Sequence, residues 1–129
     1  MLLREYKEKN GWVLSRWELT YNTGWNNILK GVTKMYNFYD NPEILCDKKQ
    51  VNVENVNSIS KIKESSYLVL RGISNILKVP ISITFYNQLK VIEVSVSMDS
   101  DKFKEINYEK LNKSLCQYMD SIEINMFGK

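Results

Sequence analysis

Nucleophilic chemistry in this chain would have to run through serine and lysine. Ser60-Lys61 and Ser65-Ser66 beside Lys63 are the clustered examples. A lysine amine activates a hydroxyl only where the two side chains meet, and adjacent residues on a helix point apart. The chain has no histidine, the side chain that most often moves protons near neutral pH. That excludes Ser-His and Cys-His pairs, His-Glu-x-x-His zinc sites and histidine metal ligands. Glu43 and Glu93 are candidate members of a carboxylate pair, but no spacing connects them. Asp99, Asp101 and Glu105 resemble the start of a calcium loop. The next ligand position is Phe103 and the central glycine is missing, so helix capping explains these acids better. Cys46 and Cys116 lie far from metal-ligand spacing and read as two core thiols. The five glycines form no phosphate-cradling loop. The expectation is a protein that is not an enzyme and uses no cofactor or metal.

Binding chemistry is better supplied. Trp12, Trp17, Tyr21 and Trp25 fall within fourteen residues. Core filling is the competing role for such rings, yet Trp, Tyr and Arg also dominate interface hot spots. On a strand, Trp12 and Trp17 have opposite parity, so a one-sided core cannot take both. Arg16 shares the parity of Trp12. A second surface is the outer row of a hairpin, with Ser82, Thr84, Tyr86, Val91, Glu93, Ser95 and Ser97. It is polar and almost uncharged, and small hydroxyls allow close approach of another chain. The candidate partner-binding residues are therefore Trp12, Arg16, Trp17, Ser82, Thr84, Ser95 and Ser97. The partner is read as a protein or a second copy of this chain, the latter because symmetric dimers are the commonest oligomers. Lys48, Lys49, Lys61, Lys63 and Lys78 would be the phosphate contacts of a nucleic-acid-binding alternative. Acids alternate with them at Asp47, Glu54 and Glu64, so nucleic acid is not the expected partner.

The elements that must carry these residues follow from periodicity. Asn10-Gly11 is a two-residue turn signal. A hairpin closed there pairs Lys9 with Trp12 and Glu5 with Arg16; a helix through Val13, Leu14, Trp17 and Tyr21 is the alternative. A helix is predicted over about Gly24 to Tyr39, where apolar residues from Trp25 to Tyr39 recur at helical spacing, with Thr23 as a candidate N-cap and Asp40-Asn41-Pro42 as a stop. Ile44 to Val53 reads as two short strands around Asp47-Lys48-Lys49. A second helix is predicted over about Ser60 to Leu77, on the stripe Ile62, Val69, Leu70, Ile73, Ile76 and Leu77. Within it, Tyr67 to Leu70 alone would favour a strand. Ile73 is expected to be buried. Ile81, Ile83 and Phe85 alternate with polar residues, as do Ile92, Val94 and Val96. Parity favours a four-residue loop, Asn87 to Lys90, that sets Phe85 against Ile92 and Ile83 against Val94. A third helix is predicted over about Tyr108 to Ile122, capped at Asn107.

These elements alternate as hairpin and helix three times. The predicted fold class is α+β: an antiparallel sheet built from hairpins with about three helices packed on it, as a single layer or a two-layer sandwich. The 129 residues suit one domain spanning 1–129, with 43% hydrophobic and 26% charged residues. The net charge of +3 is spread without a strong block of one sign. No apolar run approaches the ~20 residues of a membrane span, and the first ten residues do not read as a signal peptide. A cytoplasmic location is expected. The chain contains no alanine and only three arginines. Together with its many Asn, Ile, Lys and Tyr residues, this suits the AT-rich genome of a bacterium or phage. The function expected from sequence is a small non-enzymatic protein-interaction module of adaptor, inhibitor or immunity type, self-associating.

Overall fold

A computed structural model describes the backbone of residues 2–9, 12–21, 24–55, 65–75, 78–99 and 101. The chain opens with β1 (Leu2–Lys9) and β2 (Trp12–Thr20). They pair antiparallel with Lys9 opposite Trp12 and Glu5 opposite Arg16, the register expected from an Asn-Gly closure, with a shift between Leu3 and Glu5.

Helix α1 (Trp25–Met35) follows, and a 3-10 turn over Tyr36–Phe38 extends it. It buries Trp25, Ile28, Leu29, Val32 and Met35 along one side, as the 3.6-residue period requires. Its N-cap is Gly24, whose carbonyl accepts from the amides of Asn27 and Ile28. Thr23 lies outside the described residues. Asp40-Asn41-Pro42 is not a stop but the interior of β3 (Tyr39–Cys46). Asn41 takes φ 52° there, and the register of β3 shifts between Asp40 and Glu43. That is a bulge, and a bulge tolerates a proline that a regular ladder would not.

β3 turns at Asp47-Lys48 into β4 (Lys49–Val51). After a second 3-10 turn at Val53–Asn55 come β5 (Tyr67–Ser74), β6 (Pro80–Tyr86) and β7 (Val91–Asp99). The β6–β7 hairpin has its four-residue loop at 87–90, with Phe85 opposite Ile92 and Ile83 opposite Val94.

The sheet order is β1-β2-β7-β6-β5-β3-β4, with every neighbouring pair antiparallel. β2 and β3 therefore run in the same direction with three strands between them. A connection of that kind must cross one face of the sheet, and α1 is that connection. One core joins the two layers: Ile28, Leu29, Val32 and Met35 of α1 with Ile44, Leu68, Leu70, Ile81, Ile83, Phe85, Ile92 and Val94 of the strands.

Two expectations are corrected. The segment read as a helix over Ser60 to Leu77 contains strand β5, hydrogen-bonded on both sides. Leu68 and Leu70 are buried and Arg71 is exposed, a period of two. Residues 60–64 and 76–77 lie outside the described residues. The apparent helical stripe matched Val69 and Ile73, which fall on the opposite face from Leu68 and Leu70. Ile73 is 37% exposed rather than buried. The α+β arrangement with about three helices is overturned with it. Among the described residues, one α-helix covers one face of a seven-stranded antiparallel sheet. The helix predicted over Tyr108 to Ile122 lies outside the described residues. No helix among the described residues is long and apolar enough to cross a membrane.

Candidate binding face

Strand register assembles this face from distant parts of the sequence. In an antiparallel sheet, directly opposed residues share a face. Ser95 pairs with Arg16 on one side and with Ser82 on the other. Ser82 pairs with Arg71, and Arg71 with Glu43. Arg16 pairs with Glu5. One row thus crosses six strands in the order Glu5, Arg16, Ser95, Ser82, Arg71, Glu43. Its sequence of residue types reads the same from either end. The neighbouring row holds Glu18, Glu93, Thr84, Val69 and Leu45. Both rows lie on the face away from α1, because the alternate residues Val94, Ile83 and Leu70 belong to the core.

The described side chains on this face are only partly covered. Ser82, Thr84, Glu93, Ser95 and Ser97 are half-buried and Arg71 is exposed. Arg71 makes a two-point ion pair with Glu43, Nε to Oε2 at 3.2 Å and Nη2 to Oε1 at 3.3 Å. The next strands lock their own polar groups: Tyr86 donates its hydroxyl to Oε1 of Glu93 at 2.7 Å, and the Tyr67 ring stands 6.1 Å from that of Tyr86.

Beside the central row lies a groove of about 380 Å³. Ser82, Ser95 and Ser97 line it with hydroxyls, Arg71 supplies a charge, and Ile73 and Pro80 supply an apolar end. The β3 bulge shapes that end. Asn41 lines the groove, and Pro42 presses on Gly72, whose missing side chain makes room for it.

Six of the seven sequence-predicted residues, Trp12, Arg16, Ser82, Thr84, Ser95 and Ser97, fall by register on this face. Trp12 occupies the position opposite Asp99, at its end. Trp17 does not join them, since it is opposite Val94 in a core row. The sequence reading does not place Arg71 and Ile73 on this face, because it takes their segment as a helix; the strand signal of Tyr67 to Leu70 is the cue that finds them, while Glu43 on β3 enters it only as a carboxylate candidate.

The other constellations come apart. Lys48 and Lys49 lie at the β3–β4 turn, while Lys78 lies beyond Ser74 at the opposite end of β5. Lys61 and Lys63 lie outside the described residues. Glu43 and Glu93 share the face but sit three strand spacings apart, about 14 Å, beyond the roughly 5–9.5 Å of a hydrolytic carboxylate pair. Of the serine–lysine candidates, Ser65 and Ser66 are described: Ser65 is buried and its carbonyl accepts from Nδ2 of Asn87. Asp99 ends β7, and Glu105 lies outside the described residues. Among the described residues no group of His, Cys, Asp and Glu could hold a metal ion.

Compared with protein-family models, curated proteins and solved structures, the chain matches none.

Proposed function

We propose that this protein is a non-enzymatic protein-interaction module that engages its partner with the sheet face opposite α1. One observation carries the reading. The two faces of the same strands differ: one row set is sealed under a helix, while the other bears half-buried hydroxyls, an exposed arginine and a groove. A face of that composition offers hydrogen-bond donors and a desolvatable apolar end, the ingredients of a polar interface. Its hydroxyls have no activating base of the Ser-His kind, since the chain has no histidine, which favours recognition over turnover.

A second copy of the chain is the less favoured occupant. An isologous two-fold contact centred on the main row would set arginine positions against arginine positions and glutamates against glutamates. Like charges brought together across an interface cost several kcal/mol, so we favour a different chain as partner.

Photo-crosslinking tests this. A benzophenone side chain at Thr84 should give one discrete heterologous adduct in the native cells, and the same group at exposed Lys30 on the outer side of α1 should give none. Equal adduct patterns from the two positions would remove the proposal.

A further inference from the structure

We infer that two copies of this chain join edge to edge through β1, extending one sheet across a two-fold axis at Tyr6. This is a different surface from the open face and does not depend on what that face binds. Among the described strands β1 ends the sheet order and pairs with β2 alone. Its eight residues, Leu2–Lys9, make a long edge, against the three of β4 at the other end. A long edge presents a row of main-chain donors and acceptors to another strand. The register says which residues supply them. Lys9 stands opposite Trp12 across a two-residue loop, and the closing pair of such a hairpin exchanges hydrogen bonds. Lys7 and Glu5, two and four positions back, therefore also turn their main-chain groups to β2. Tyr6 and Glu8 turn theirs to the outer edge.

Pairing this edge antiparallel with itself puts the two-fold axis on a residue, because outward-turned groups must meet outward-turned groups. Residues 4–9 read Arg, Glu, Tyr, Lys, Glu, Lys. An axis on any of the charged positions sets that charge against its own copy, which destabilises the pairing. An axis on Tyr6 sets Glu5 opposite Lys7 and Arg4 opposite Glu8, each twice, with opposite signs throughout. The charge pattern thus selects a residue that the main-chain pattern also offers, one whose amide and carbonyl are turned to the outer edge. Arg4 sits at the register shift between Leu3 and Glu5, so the regular ladder runs over Glu5 to Lys9 and the Glu5–Lys7 positions decide the pairing. Directly opposed residues share a face, so the open faces of both copies lie on the same side of one continuous sheet. The contact is isologous. Unlike a face-to-face contact centred on the main row, it brings unlike charges together.

Sedimentation equilibrium of the full chain tests this. The wild type should dimerise, and more weakly as salt rises. K7E sets like charges opposite each other across the edge, and so does E5K, so each should weaken the dimer by about tenfold. The double variant E5K/K7E restores opposite signs and should return association to within about threefold of the wild type. Cysteine crosslinking locates the contact separately. The two Tyr6 positions would have their Cα atoms about 5.5 Å apart, within the range a disulfide spans. In a C116S background, Y6C should give a disulfide-linked dimer on mild oxidation, while K30C on the outer side of α1 should not. Rescue by the double variant and selective crosslinking at position 6 support the edge contact. A monomer at all concentrations overturns it, as does a dimer indifferent to the three charge variants or equal crosslinking from the two cysteines.

Discussion

A methyl group on Gly72 would stand 3.0 Å from Cδ1 of Tyr39. It would also lie 3.2 Å from the carbonyl oxygen of Asp40 and 3.2 Å from Cα of Pro42. Two of these neighbours are backbone, so they cannot rotate away. The β3 bulge and Gly72 are therefore one device: the extra residue in β3 leans over the position where β5 has no side chain. Gly72→Ala gains strand propensity but overpacks this contact, which typically costs about 1–3 kcal/mol. We expect a net loss of about 1–2 kcal/mol in urea unfolding, with the groove wall displaced. An unchanged or higher midpoint would show that the bulge moves freely.

The β3–β4 turn places both of its residues in left-handed backbone, Asp47 at φ 47° and Lys48 at φ 72°. This suits the right-handed twist of a hairpin, but a non-glycine residue there costs about 1–2 kcal/mol. Asp47 offsets its share: its carboxylate accepts from the amides of Ser66 and Tyr67 at 3.1 and 3.4 Å, tying the turn to the start of β5. Lys48 has no such contact among the described residues. Lys48→Gly should therefore raise stability by about 0.5–1 kcal/mol after the extra entropy of the unfolded glycine is deducted. Asp47→Ala should lower it. Chemical denaturation of the pair checks both directions.

Ile73 and Ile83 separate a strand from a helix at single-residue resolution. Ile83 is fully buried under α1, while Ile73 is 37% exposed on the opposite face. Ile83→Ala should cost about 2–5 kcal/mol, as a filled core site does. Ile73→Ala should cost less, about 1–2 kcal/mol, because more than a third of its surface is already in water. A large stability loss at Ile73 would reinstate the helical reading of that segment.

That error marks where the sequence was legible. In β6–β7 the alternation of two coincides with loop parity, so one register satisfies both, whereas at β1–β2 the Asn-Gly turn signal sets the register against a rival helical spacing. The residues of α1 match a single period from Trp25 to Met35. In β5 the signals conflict: Val69 and Ile73 are apolar on an outward face, and together with Leu70 they mimic a helical stripe. Apolar residues on the groove side are what confused the period, so the misread strand is also the one that carries Arg71. The six-strand row could not be read in advance, because it depends on β7 lying between β2 and β6. Sequence order gives no cue for that placement, since it is the crossover of α1 that leaves room for it.

Cys46 is buried in the core, and burial pushes its thiol up. The charge of Asp47 acts in the same direction, and the hydrogen bond with Ser65 acts against them. Only the thiolate attacks disulfide reagents. With Cys116 replaced by serine, Cys46 should react with an aromatic disulfide reagent at pH 8 only as the protein unfolds. The rate should rise by about two orders of magnitude once urea passes the midpoint. Free-thiol reactivity in the native protein would contradict the packing of β3 against β5 at that end.

Tyr21 joins the end of β2 to the β6–β7 loop. Its hydroxyl donates to the carbonyl of Tyr86 at 2.7 Å, its amide donates to the carbonyl of Lys90 at 2.9 Å, and the Lys90 ammonium lies 5.4 Å from its ring centroid. Burial pushes its pKa from 10.0 up to about 12. The unfolded chain then releases this proton first as pH rises, so ionisation favours unfolding. The stabilisation from the neutral phenol is complete below pH 10 and is lost as pH climbs toward 12. Tyr21→Phe removes the titrating group together with the bond to Tyr86. It should start less stable at pH 8, by about 1 kcal/mol for one part-buried hydrogen bond, and then lose less between pH 10 and 12 than the wild type. The two stability curves should therefore converge in that window. Parallel curves in urea titrations across this range would show that the Tyr21 hydroxyl ionises as freely in the folded protein as in the unfolded chain.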